Sequence, residues 1–165
     1  MSIIGHYLII FFISMVPIIE LRGAIPYAIG FIESGVPLSL PMCYVVAIIG
    51  NMIPVPLIFF LARKVLEWGK DKAVIGRPCN FFLNKGHKAG QKLQDKAGKG
   101  LFIALLLFVG IPLPGTGAWT GTFAASLLDM DFKSSVIAVM LGVVLAGIIM
   151  GVLSMGVFGA IFSFA

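Results

Sequence analysis

Two charged residues stand where the chain is otherwise apolar. Glu20 and Arg22 lie in Glu20-Leu21-Arg22-Gly23-Ala24-Ile25-Pro26, directly after an apolar run from Ile3 to Ile19. Ionisable groups at membrane depth are costly and mark ion or substrate pathways. In that role Glu20 titrates as a proton carrier and Arg22 pairs with an anionic substrate. Two plainer readings stand beside it. The residues form a buried ion pair that only locks the local structure, or both sit at the water interface. Pro17 and Pro26 bracket the charges, which predicts irregular backbone between them.

A second constellation lies between Gly110 and Gly121. Pro112 and Pro114 interrupt the helix, and Gly115, Gly117 and Gly121 let backbone N–H groups approach a ligand. Thr116 and Thr120 add hydroxyls, and Trp119 either stacks on a ligand or packs. A half-helix starting there points its positive end at whatever lies beside it. With Arg22 this looks anion-accepting; the alternative is a glycine break that holds no ligand. Gly23, Pro26 and Pro112 complete the candidate substrate and proton site. The segment is not a phosphate-binding Walker loop, because no GKS or GKT follows. The cysteines, Cys43 and Cys79, and the histidines, His6 and His87, form no cluster. A metal, a disulfide framework and a cofactor are therefore not expected. No Ser/His pair or second nearby carboxylate suggests an enzyme.

The surroundings of these motifs set their solvent. Of the 165 residues 59% are hydrophobic and only 12% charged, with a mean hydropathy of +1.08. A soluble domain carries about 25% charged residues. Too little charge remains to cover a water-facing surface, so the apolar surface must face lipid. Ten of the 12 Lys and Arg lie between Arg63 and Lys99, where the net charge is +7, against −2 elsewhere. One basic loop between apolar segments predicts a cytoplasmic segment by the positive-inside rule, not a nucleic-acid site. Lys85, Lys88, Lys92, Lys96 and Lys99 recur every three or four residues. Such a stripe lies on anionic headgroups or faces solvent. The N-terminal run lacks a basic start and reads as mature protein.

Four apolar blocks position the motifs. Ile3 to Ile19 ends on Pro17. Leu38 to Ala62 spans about 37 Å at 1.5 Å per residue, enough to cross, with kinks at Pro54 and Pro56. Leu101 to Ile111 reaches only about 16 Å before the proline-glycine break. Ser134 to Ala165 exceeds a simple span and must tilt, break or protrude. In it Ala138, Gly142, Ala146, Gly147 and Gly151 follow small-xxx-small spacing, which fits packing within the chain or a homodimer face. A shift of 94 places Gly23-Ala24 on Gly117-Ala118. Each half reads half-helix, break, short arm, polar turn, full span. Glu33 in one half and Asp129, Asp131 and Lys133 in the other occupy the polar turns. The predicted fold is an all-α membrane domain over 1–165: repeat one to about 62, a basic segment 63–100, and repeat two from about 101. With the basic segment inside, both termini lie outside. The halves form re-entrant hairpins that dip from opposite faces, an inverted repeat.

The two motifs, Glu20 to Pro26 and Pro112 to Trp119, resemble the small multidrug export protein family along nearly the whole chain. That family is distantly similar to the DedA and VTT-domain membrane proteins, which carry paired re-entrant hairpins with acidic and arginine residues. The resemblance implies a bacterial or archaeal inner-membrane protein with lipid partners. DedA proteins are implicated in flipping undecaprenyl phosphate. The leading expectation is a proton-coupled secondary transporter of an anionic amphiphile such as a polyprenyl phosphate. The alternatives are a proton-coupled exporter of cationic drugs and a non-transporting scaffold with a structural Glu–Arg pair.

Overall fold

The computed structural model describes residues 2–69 and 99–163, with Lys72, Asn80, Phe81 and Asn84 between them. Most of the basic segment, including Cys79 and the lysine stripe up to Lys96, lies outside the described residues. Every regular element described is a helix: α1 (Ile3–Met15), α2 (Glu20–Glu33), α3 (Leu40–Met52), α4 (Pro54–Gly69), α5 (Lys99–Gly110), α6 (Ala118–Leu127) and α7 (Phe132–Ser163).

Prolines and glycines set the breaks. α1 stops at Val16 because Pro17 cannot donate the next helical bond. α3 and α4 meet at Ile53, where Pro54 and Pro56 withhold N–H groups from the preceding turn. α5 stops at Gly110, before Pro112. α7 starts on Asp131, whose carboxylate accepts the Ser134 N–H at 3.0 Å and the Ser134 hydroxyl at 3.2 Å. That is an N-cap, and the Ser134 N–H bond leads in holding the Asp131 carboxyl below its ordinary value. Its capping is present above the ordinary carboxylate range and lost as pH falls. The polar turn is thus a helix start, as its residue types suggest.

One expectation is corrected. The prolines at 17 and 26 do not keep Glu20 to Pro26 irregular: α2 runs through Pro26. An internal proline withholds one N–H and kinks the helix, and the buried face of α2 compensates. Leu21, Ala24, Ile25, Ala28 and Ile29 recur at helical spacing and are all but fully buried.

Leu40–Ala62 and Phe132–Val157 are long and apolar enough to cross a membrane. Their outward faces carry Ile49, Leu57, Ile148, Val152 and Leu153, each at least half exposed. A contiguous apolar surface of that extent is not compatible with water. The chain is an all-helical membrane protein.

The packing of the two halves corresponds in detail. α1 packs on α3, and α5 packs on α7. In both, a glycine on the long helix admits the half-helix. A Cβ on Gly50 would strike Ser14 Oγ and the Phe11 carbonyl; one on Gly142 would strike Val109 and the Leu106 carbonyl. Phe11 and Ser14 stand four and one residues before the end of α1; Leu106 and Val109 stand four and one before the end of α5. The arms cross over: α2 packs on α7, and α6 packs on α4. The small-residue stripe of α7 is filled within the chain, since Gly147 meets Leu21 and Tyr44, and Gly151 meets the Tyr44 hydroxyl.

Candidate functional site

A helix that ends inside a membrane exposes backbone groups that no water reaches. Each unpaired group there costs several kcal/mol. α1 and α5 end, and α6 begins, at such breaks. Three side chains from the opposite half meet them.

Arg22, on the first turn of α2, serves the C-terminus of α5. Its Nη1 donates to the Leu113 carbonyl at 2.6 Å. Its Nη2 donates to Thr116 Oγ1 at 2.8 Å and more weakly, at 3.4 Å, to the carbonyls of Val109 and Ile111. The forked guanidinium reaches several acceptors at once, and its charge sits at the negative end of the α5 dipole. The Thr116 hydroxyl accepts from Arg22 and turns its own hydrogen to Leu113 or Ile111.

Glu20 does the converse for α6. Its two carboxylate oxygens accept the N–H groups of Ala118 and Trp119, each at 3.1 Å. This is a two-point cap at the positive end of a helix, made by a residue 98 positions away. Glu20 is 4% exposed. Its own backbone is left-handed, with φ +51°, and Ile18 just before it has φ +77°. For a β-branched residue that is a strained conformation, so the first break holds stored strain where it aims the carboxylate.

Trp119 makes the third contact. Its indole N–H donates to the Met15 carbonyl, at the end of α1, at 3.2 Å. So Arg22 and Trp119, each in the first turn of its arm, both cap the half-helix of the other half.

The geometry therefore unites Glu20, Arg22, Thr116, Gly117 and Trp119 of the expected site. Gly117 has φ +141°, and a Cβ there would enter the Glu20 carboxylate. Gly117→Ala should push the carboxylate off α6 and lower stability by about 1–3 kcal/mol, the range for overpacking, as read by thermal unfolding in detergent. An unchanged melting curve would show that the cap is not held in this way. Gly115, φ +82° with open space beside it, turns the loop together with Pro112 and Pro114. Gly23 and Pro26 lie within α2 and shape that helix. Thr120 lies at the surface.

Glu20 and Arg22 do not form the mutual ion pair of the plainer reading: among the described residues neither is in a salt bridge within 4.0 Å. Both are spent on backbone. The helix N-terminus read as an anion acceptor already holds an anion, the Glu20 carboxylate. No cluster of three His, Cys, Asp or Glu occurs among the described residues.

Beside the caps lies an apolar groove of about 510 Å³, lined by Pro17, Leu57, Ile58, Leu61, Ala62, Val65, Trp119, Thr120 and Phe123. No charged side chain lines it. Trp119 joins the groove to the caps. Its residue types resemble the rest of the surface, so only the fold reveals it.

Broken helices with reciprocal caps, under a lipid-facing exterior, define a helical membrane protein built around a buried polar centre. Residues 20–149 match the family model described as "Putative small multi-drug export protein", and the chain belongs to that family. The match begins at Glu20, so both motifs fall within it. Neither the curated proteins nor the solved structures give a match. The family's description is of export, a transport activity and not a catalytic one.

Proposed function

We propose that the chain is a proton-coupled secondary exporter of small amphiphilic compounds. The observation that carries this reading is the Glu20 carboxylate capping α6, the helix whose Trp119 and Thr120 rim the apolar groove. Protonating Glu20 removes the charge from both hydrogen bonds and from the helix end. Charge-assisted bonds are roughly twice as strong as neutral ones. A proton would therefore loosen α6 from α2 and couple to the groove. The groove's volume falls in the range of about 300–1,000 Å³ typical of small-molecule sites. Its apolar lining suits the body of an amphiphile and leaves the cargo's charge to the groove's mouth.

The corresponding halves support an inverted repeat of two re-entrant hairpins, with the basic segment inside and both termini outside. In that arrangement loosening one arm alternates access between the faces.

A carrier-lipid phosphate is the second reading. The half-buried Arg22 beside the exposed Leu113 favours it. Such a phosphate must displace the Leu113 carbonyl and Thr116 from the guanidinium. The test is purified protein in liposomes under an imposed pH gradient. A fluorescent lipophilic amine and a short-chain polyprenyl phosphate are offered separately. Gradient-dependent movement of the amine supports export. Movement of the phosphate alone supports the lipid reading, and movement of neither contradicts transport.

A further inference from the structure

The kink between α3 and α4 concentrates oxygen acceptors without donors. In a continuous helix the carbonyls of Gly50 and Met52 would accept from residues 54 and 56. Both of those are proline and carry no N–H. Between the two carbonyls stands Asn51, 2% exposed, whose Oδ1 has no hydrogen-bond partner among the described residues. Gly50 and Pro54 are buried as well. One other buried side-chain oxygen shares this state, the hydroxyl of Thr122, 0% exposed, on the α6 helix that packs against α4.

Buried polar atoms without partners cost roughly 1–3 kcal/mol each in proteins. Elsewhere this chain spends side chains from across the molecule to satisfy such groups. Here no side chain is sent. The acceptors share one character: a carboxamide oxygen and two peptide oxygens, all hard and neutral. That set suits a hard cation. Broken membrane helices use unwound carbonyls for sodium in the same way. A monovalent ion also fits the charge available, since neutral oxygens alone do not compensate a divalent one. The kink lies close to the capped centre. Gly50 packs on Ser14, and the next residue, Met15, receives the Trp119 indole.

We propose that the Asn51 carboxamide and the proline-freed carbonyls of Gly50 and Met52 bind a sodium ion at the α3–α4 kink. The inference concerns equilibrium binding and stands whether or not the groove carries a proton-driven cargo.

The test is thermal unfolding of the purified full chain in detergent, titrated with sodium chloride against choline chloride at constant ionic strength. The melting temperature of the wild type should rise saturably by several degrees with sodium and not with choline. Asn51→Leu removes the carboxamide at similar volume. It should melt higher than wild type in choline, because an unpaired buried group is gone, and should lose at least ten-fold in apparent sodium affinity. Thr122→Val, on the neighbouring helix, serves as a second folded variant and should retain the sodium response. No sodium response in the wild type, or an undiminished response in Asn51→Leu, overturns the proposal. A gain in stability for Asn51→Leu with no sodium response in the wild type would assign the site to water and equally overturn it. Because no transport is measured, neither failure bears on the exporter reading.

Discussion

Arg22→Ala is expected to lower the unfolding free energy by about 3–5 kcal/mol, the range for removing one partner of a buried charged contact. The substitution strips the C-terminus of α5 of its donors. Leu113 loses its shortest bond, and Val109 and Ile111 lose theirs. No water at membrane depth replaces them. Arg22→Lys should recover only part of the loss, because one ammonium cannot hold the fork of acceptors a guanidinium holds. Chemical unfolding in detergent, followed by circular dichroism, reads both. A loss below about 1 kcal/mol, typical of an exposed ion pair, would place Arg22 at the water interface and remove it from the helix end.

Glu20→Gln is expected to leave the protein folded and to abolish gradient-driven transport, with a fall of at least ten-fold in rate. The amide keeps an acceptor for the α6 N–H groups but cannot take up a proton. Its cap is neutral at every pH, so one state of the cycle is lost. Glu20→Ala, which leaves both N–H groups of Ala118 and Trp119 without an acceptor, should unfold more easily as well. Caps of this kind contribute about 0.5–2 kcal/mol when exposed to water. Transport by Glu20→Gln at the wild-type rate with an unaltered pH profile would reduce Glu20 to a structural cap.

Much of this was legible in the residues. The low charge and the four apolar blocks predicted a membrane protein. The proline-glycine breaks predicted where α1 and α5 stop. The charges at 20 and 22 stood out because an apolar run offers them nothing nearby. What they do there was not legible. A carboxylate and a guanidinium two residues apart suggest each other, or a ligand, as partners. Their actual partners are backbone groups 87 to 99 residues away. The need for those partners follows from the orphan groups at helix ends, yet only the fold shows which side chain reaches which end. The persistence of α2 through Pro26 escaped for a related reason. A proline signals a break locally, and the buried face that carries the helix past it is a property of packing. Asn51 escaped because an asparagine near the end of an apolar block looks like a turn residue. The role of Trp119 was half visible: a tryptophan after a glycine break invites packing, and the destination of its N–H does not show.

The account stands on the Glu20 cap being released by a proton. Hydrogen exchange at the Ala118 and Trp119 amides, corrected for the intrinsic pH dependence of exchange, measures that cap directly. In the wild type both amides should be protected while Glu20 is ionised, and protection should fall by about ten-fold or more as it is titrated to the acid, as expected for losing a charge-assisted bond worth more than 1.4 kcal/mol. Neighbouring amides deeper in α6 should change less, and Glu20→Gln should show a low, pH-independent protection throughout. Protection of Ala118 and Trp119 that stays flat with pH in the wild type, or that titrates identically in Glu20→Gln, would contradict the claim that a proton on Glu20 moves α6.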